Sequence, residues 1–487
     1  MVESPRILSS RIGDSPDTDC ACPATSLLPP PPAAIATARF WQSAPDRYHL
    51  QLPDRHELVC SPSTGADIAV LNAPAIALLQ AFDTPRPLQP DPGTPALADP
   101  GISVALADLV AARLLQPIGA TNRPVQPPPE TLTAWLHLTS ACPLRCSYCY
   151  VPKTAETMDG ATGRAAVATL FRTAEQHGLR RLTLKYAGGE PALCFPLIRQ
   201  IHDYARQRSD ATGIELHAVV LSSGVGLPRT MLDYMRDTHI RLVLSLDGIG
   251  AAHDVQRHFR QGRGSFAEVA RSLEYALASG LQPSLSITVT DHNVDTLHET
   301  VAFALERGLR FHLNLYRSHE QSALEPPPAL LTNQSRIIAG IQAALALIET
   351  HLPEQRIIDG LLDRATFGQP HTLTCGAGSN YLVVDQRGRI SRCHMDMAQP
   401  LTDLQADDPL QAIQNDTTHN LNIAVDDKAG CGDCPWRYWC GGGCPLFTLR
   451  TTGNAAAKSP YCQIYQTLYP AILRLEGLRL LKWGNSA

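Results

Sequence analysis

Ser140-Ala-Cys142-Pro-Leu-Arg-Cys146-Ser-Tyr148-Cys149-Tyr-Val-Pro152 is the stretch that decides how the chain is read. Cys142, Cys146 and Cys149 form a CxxxCxxC array, and an apolar run over 132–138 leads into it. Thiolates this close in sequence can face one point, which suits a metal centre. Iron–sulfur clusters normally take four cysteine ligands. Three local cysteines leave one iron open to a small molecule. A structural zinc knuckle would instead favour CxxC pairs and a fourth protein ligand.

Outward from the array, strands and helices alternate. The patterning predicts strands at 132–138, 182–186, 215–221, 241–246, 283–289 and 310–315. It predicts helices at about 161–177, 194–208, 228–238, 265–279, 293–307 and 329–351. Six βα units imply a parallel sheet curled into a partial barrel, with ligands at the carboxyl ends of the strands.

The strand ends carry the expected residue types. Gly188-Gly189-Glu190-Pro191 follows the second strand, Ser222-Ser223-Gly224 the third, and Ser245-Leu-Asp247-Gly248 the fourth, with His253, Asp254 and Arg257 just beyond. Together with CxxxCxxC these motifs resemble the radical S-adenosylmethionine (SAM) superfamily. That resemblance implies that SAM chelates the open iron and is cleaved by one electron to a 5′-deoxyadenosyl radical. Cys142, Cys146 and Cys149 would then be both cluster ligands and the catalytic centre. The resemblance also places Tyr148 near the adenine and the Gly-Gly-Glu-Pro turn at the SAM amino group. It gives Ser222 the place of the family's Thr-Asn-Gly turn. Ser245 would meet the carboxylate or ribose, within the Ser-x-Asp247-Gly element. Arg257 is a candidate carboxylate clamp by bidentate pairing, and Asn314 a candidate for the ribose.

A second cysteine field lies between residues 375 and 462. Twelve residues separate Cys375 from Gly388, four separate Gly388 from Cys393, and then come Cys431, Cys434, Cys440, Cys444 and Cys462 at intervals of two, five, three and seventeen. This resembles the SPASM pattern at every interval. The resemblance implies one [4Fe–4S] cluster on Cys431, Cys434, Cys440 and Cys462, and a second on Cys375, Cys393 and Cys444, giving three clusters with the one that binds SAM. Some relatives supply the second cluster's fourth ligand six residues after the first cysteine, where this chain has Tyr381. Residues 381–390 alternate as a hairpin, and 463–483 read as a Leu-rich amphipathic helix packed back on the barrel.

The chain divides accordingly. Residues 1–38, rich in Pro, Ala and Ser, read as a flexible tail that holds Cys20 and Cys22. Residues 39–119 predict a small α+β module, with strands near 48–52, 57–60 and 67–71, a helix over 73–82 capped by Asn72, and another over 103–115. Three strands and then helices, ahead of a radical SAM motif, resemble the recognition element that binds the leader of a ribosomally made peptide. The many prolines of 83–100 depart from that family. A linker at 120–131, the barrel at 132–355, the SPASM domain at 356–470 and a terminal helix at 471–487 complete the plan. The fold class is α/β: a partial (β/α)6 radical-SAM barrel, an N-terminal winged-helix-like α+β domain and a C-terminal iron–sulfur domain.

Composition sets the bounds. Of 487 residues, 44% are apolar, and the net charge is -5. Nothing here favours nucleic acid, which asks for a basic patch. No apolar run reaches membrane-spanning length, and the first residues lack a signal pattern. Fourteen cysteines in a large chain without such a signal point to metal rather than disulfides, and to the cytoplasm. Cys194, on an apolar helix face, reads as a small buried hydrophobe.

The expected function is an oxidoreductase that modifies a ribosomal precursor peptide, with the N-terminal domain on its leader. Auxiliary clusters that accept electrons favour oxidative crosslinking, as a thioether or a carbon–carbon cyclophane. The closing segment from Ser459 resembles maturases paired with Nif11-type leaders. Formylglycine formation of the anaerobic sulfatase-maturating kind and epimerisation are the alternatives. The former class carries Asp directly after the Gx4C cysteine, where this chain has His394, with Asp396 two further on. A scaffold without catalysis fits the intact motifs poorly. A flavodoxin- or ferredoxin-type electron donor is implied.

Overall fold

The computed structural model describes residues 4–10, 39–88, 100–120, 124, 128–318, 333–367, 370–416, 421 and 423–484. Cys20, Cys22, most of the proline-rich segment 83–100 and part of the linker lie outside these residues.

The N-terminal module comprises β1 (Ile7–Ser10), β2 (Trp41–Ser43), β3 (Tyr48–Gln51), β4 (Glu57–Cys60), β5 (Ile68–Leu71), α1 (Ala73–Ala81), α2 (Pro100–Ala111) and β6 (Leu115–Pro117). The three predicted strands are present. Asn72 caps α1 as expected, its side chain accepting from Ala75 N at 3.2 Å. Two features differ. The predicted second helix stops at Ala111, because Leu115 joins a two-stranded ladder with Ser43. The tail expectation fails for residues 4–10. Ile7–Ser10 adds a fourth antiparallel strand, giving the order β1-β5-β4-β3. A short segment with two adjacent apolar residues gains a backbone ladder there, which composition averaged over 38 residues conceals.

The barrel follows as β7 (Thr131–Thr139), α3 (Gly160–Gln176), β8 (Arg181–Gly188), α4 (Phe195–Thr212), β9 (Glu215–Ser222), α5 (Arg229–Asp237), β10 (Arg241–Ser245), α6 (Ala251–Asp254), α7 (Phe266–Ala278), β11 (Ser284–Val289), α8 (Leu297–Glu306), β12 (Phe311–Leu315) and α9 (Gln334–Thr350). The six strands run parallel in the order β12-β11-β10-β9-β8-β7. Apolar residues alternate with polar ones along β8, β11 and β12, as in Phe311-His312-Leu313-Asn314-Leu315. Leu132, Leu136, Leu184, Val220, Leu244 and Leu285 lie in the central core.

The sheet does not end with the barrel. β13 (Tyr381–Val384) pairs parallel with β7, Tyr381 opposite Thr133, and β14 (Arg389–Ser391) and β15 (Thr402–Asp403) extend it antiparallel. The expected hairpin is therefore present and is fused to the barrel edge. After α10 (Pro409–Gln414), α11 (Arg437–Cys440) and α12 (Pro445–Thr452) comes α13 (Cys462–Trp483). The helix read at 463–483 is present and begins at Cys462, so the expected domain boundary at 470 falls inside it. It packs on α9 and also against the N-terminal sheet: a Cβ on Gly477 would stand 2.7 Å from Leu52. Among the described residues, no helix is long and apolar enough to cross a membrane.

Candidate functional site

A cavity of about 260 Å³ opens at the carboxyl ends of the barrel strands. Cys142, Cys146 and Cys149 line one side, with Tyr148 among them. Gly188, Gly189, Ser222, Ser245 and Asn314 line the strand ends, and Arg257 reaches in beside them. Ten residues singled out from the sequence thus meet at one place, as the barrel topology requires.

The cysteine loop is held by the segment after β10. Arg145 N donates to His258 O at 2.8 Å, and Ser147 N to Gln256 O at 2.9 Å. His253 and Asp254 fix that segment in turn. The His253 ring bonds Ser265 Oγ at 3.0 Å, and Asp254 Oδ1 accepts from the amides of Ser265 and Phe266. The His-Asp-x-x-Arg signature is therefore largely a clamp for the loop that carries the thiols.

Glu190, Pro191 and Asp247 do not line the cavity. The Glu190 carboxylate is fully buried and accepts from Ser222 Oγ at 2.8 Å, Ser223 N at 2.8 Å, Ala192 N at 3.0 Å and Ser223 Oγ. It locks the β9 turn to the β8 turn, the turn that the resemblance sets at an amino group. Asp247 accepts from Tyr148 OH at 2.5 Å and Thr288 N at 2.7 Å, and pairs with Arg257 at 3.6 Å. Burial pushes its carboxyl above the usual carboxylate range. Arg257 also donates to Tyr148 OH. The triad aims one tyrosine ring and one guanidinium at the cavity, and Arg257 Nε is left buried without a hydrogen-bond partner.

The two glycines of the turn are required by packing. A Cβ on Gly188 would lie 2.4 Å from Thr139 O, and one on Gly189 2.3 Å from Ala141 O. Only glycine lets this turn touch the start of the cysteine loop, where Gly189 N donates to Thr139 O at 2.6 Å.

The donor set fits a cluster with SAM. Burial raises the Cys142 and Cys146 thiols, Cys146 to about 12, so iron would displace their protons. The unpartnered guanidinium nitrogen and the serine and asparagine groups suit a zwitterionic ligand. Sequence reasoning missed Trp135, Tyr150, Lys153, Arg317 and Met395 on the cavity wall. Lys153 Nζ donates to Cys149 Sγ at 2.9 Å, but both lie in a loop, where a four-residue spacing carries no signal. Trp135 stacks on His394 at 4.6 Å, and Tyr381 OH meets His394 Nδ1 at 3.1 Å. Burial drives the His394 imidazole down to about 3, so it is neutral near pH 7. Asp396 is paired to Arg450 at 3.1 Å.

In the second field, Cys431, Cys434, Cys440 and Cys462 line one pocket with Trp436 and Tyr469. Cys375 and Cys444 are buried, and Cys393 is half-buried after β14. Thr374 Oγ1 donates to Gly441 O and Gly443 O, drawing the Cys375 loop onto the triple glycine. Among the described residues, no three His, Cys, Asp or Glu side chains are close enough to grip a single ion. A four-iron cluster seats each thiolate on its own iron and tolerates wider spacing. Cys60 and Cys194 are buried in the apolar core.

Known proteins match this layout. Residues 136–304 match the model of the Radical SAM superfamily. A PqqA peptide cyclase of Xanthomonas euvesicatoria pv. vesicatoria is 25% identical over 349 residues, 70% of this chain and 89% of that protein. The fold is that of anSMEcpe, solved with bound AdoMet, at TM-score 0.60 and 17% identity, covering 73% of this chain and 100% of that one. Its complex with AdoMet and the Cp18Cys peptide gives 0.59 at 16% identity, over 72% and 99%.

Proposed function

We propose that this chain, a radical SAM enzyme, modifies a ribosomally made precursor peptide by oxidative crosslinking. The observation that carries the reading is the composition of one cavity. Its walls join the Cys142–Cys149 loop to His394 and Met395, which follow Cys393 of the second field. A peptide seated there would lie between the radical source and an auxiliary centre.

Cys142, Cys146 and Cys149 would hold a [4Fe–4S] cluster, and Gly188, Gly189, Ser222, Ser245, Arg257 and Asn314 would hold SAM. When bound, this pair supplies a 5′-deoxyadenosyl radical able to take hydrogen from an unactivated carbon. The chain's own residues position and shield. Glu190 fixes the strand ends, the Tyr148–Asp247–Arg257 triad orients the ligand, and Trp135 and Tyr150 exclude water. Two further clusters, on Cys431, Cys434, Cys440 and Cys462 and on Cys375, Cys393 and Cys444, would take up electrons released on bond formation. The N-terminal module would hold the peptide's leader. A flavodoxin- or ferredoxin-type donor would reduce the protein in the cytoplasm, where thiols stay reduced.

Formylglycine formation is less well supported, because Asp396 is already spent on Arg450 and His394 occupies the neighbouring place. The test is to co-express the chain with the short reading frame beside its gene and to weigh the peptide. The expected product is lighter by two hydrogens per modified site and is absent with Cys142→Ala/Cys146→Ala/Cys149→Ala. An unchanged mass that gains deuterium from heavy water would mean epimerisation, and no change at all would overturn the peptide reading.

A further inference from the structure

We propose that the outer edge of β5 is a displaceable strand slot, filled here by the chain's own residues 4–10, and that an extended segment of the precursor peptide binds there in exchange. This rests on the peptide-modifying reading above. β1 pairs antiparallel with β5 over four residues, from Ile7 opposite Leu71 to Ser10 opposite Ile68. Successive side chains of a strand point to opposite faces. Ile7 packs on the cluster of Leu71, Leu79, Leu106 and Leu109 beneath α1 and α2, whereas Leu8 packs on the other side, 3.4 Å from where a Cβ on Gly484 would sit.

The remaining contacts read main chain at Ser4 and Arg6 and one side chain at Ser10. Asn72 Nδ2 donates to Ser4 O at 2.9 Å, and its Oδ1 accepts from Arg6 N at 2.9 Å. Arg356 donates to the Ser10 hydroxyl. The slot therefore asks for an extended chain with two adjacent apolar residues and a hydroxyl two residues after them. That is the recognition mode of strand addition to a sheet edge.

The present occupant is held lightly. Ile7, Leu8 and Ser9 are half-buried and only Ser10 is buried, whereas every residue of β4 and β5 is buried. A short edge strand with little buried apolar surface opens at low free energy. Without it, β5 would present unpaired amides and carbonyls between α2 and α13. Residues 4–10 thus act as a built-in competitor. The slot also touches α13, the helix that begins at cluster cysteine Cys462.

The probe is a fluorescein-labelled heptapeptide with the sequence of residues 4–10, Ser-Pro-Arg-Ile-Leu-Ser-Ser, titrated anaerobically into the full-length, cluster-loaded protein. Ile7→Asp/Leu8→Asp is expected to bind it at least tenfold more tightly than the unchanged chain, with new amide protection at residues 68–71. Equal affinity for the two proteins would overturn the slot, as would protection at residues 48–51 on the opposite sheet edge. Ile7→Ala/Leu8→Ala serves if the charged variant does not fold. Amide exchange of the unchanged chain is a second check: residues 7–10 should exchange well before residues 57–60, and equal protection would make β1 a fixed strand. Failure of these tests beside a peptide product two hydrogens lighter would remove the slot alone. An unmodified peptide would remove the functional reading instead.

Discussion

The two cysteine fields are built in different ways. At the barrel mouth, protein groups already bond one another around the place where a ligand would sit. Glu190 accepts from two serines and two amides, and Tyr148, Asp247 and Arg257 form a closed set. The second field is mostly turns and short helices. Gly441, Gly442 and Gly443 all have φ between 59° and 84°, and four cysteines line a pocket with Lys458, Gln466 and Tyr469. The first site is preorganised by hydrogen bonds on rigid strands, whereas the second depends on what its thiols hold. Metal binding and folding are coupled where no preformed site exists.

That contrast can be broken by removing each set of ligands. The largest effect is expected from removing thiols of the second field. Cys431→Ala/Cys434→Ala should unfold much of residues 425–462, seen as lost amide protection, while the barrel strands stay protected. Equal loss of protection in both regions would dissolve the distinction.

Next in size is Gly189→Ala. Its Cβ would collide with the Ala141 carbonyl, so the cysteine loop must move, at a cost of roughly 2 kcal/mol or more by the usual range for overpacking. Iron counts should fall by about one four-iron cluster, with the auxiliary field intact.

Glu190→Gln is smaller. An amide cannot accept all four hydrogen bonds, and a buried unsatisfied donor costs about 1–3 kcal/mol. SAM affinity measured by equilibrium dialysis should fall roughly tenfold to a hundredfold, by the scale of 1.4 kcal/mol per decade. Unchanged affinity would show that the β8 and β9 turns do not need this tie.

The smallest effect sharpens the barrel side through pH. His202 and His253 are buried, and burial lowers them from the ordinary 6.5 to about 4 and about 3. Their folded values lie below the unfolded one, so the stability they bring is fully present above pH 6.5. It is lost in part as the pH falls toward 4. Urea midpoints followed by circular dichroism should therefore drop between pH 6.5 and 4, and the slope should lessen in His202→Phe.

The barrel was legible in the sequence because short β-rich runs and amphipathic helices alternate regularly; all six units appear within a few residues of the expected bounds. The cavity was legible because CxxxCxxC and the strand-end turns must meet at one mouth. The roles of individual residues were less so. Glu190 and Asp247 are acidic groups beside a ligand site, and nothing in their spacing tells that protein donors already fill them. β1 was missed because four residues of strand vanish in the composition of a proline-rich stretch. Trp135 and Lys153 gave no periodic signal, since they touch the site singly.

The central claim is that the barrel mouth alone cleaves SAM, and that the second field serves the peptide chemistry. The most direct measurement is 5′-deoxyadenosine formed per chain under reducing conditions, with the peptide product weighed in parallel, for Cys149→Ala and for Cys431→Ala/Cys434→Ala. The account predicts none from the first, and near-normal 5′-deoxyadenosine without peptide product from the second. Equal loss of SAM cleavage in both, or a modified peptide from the second, would contradict it.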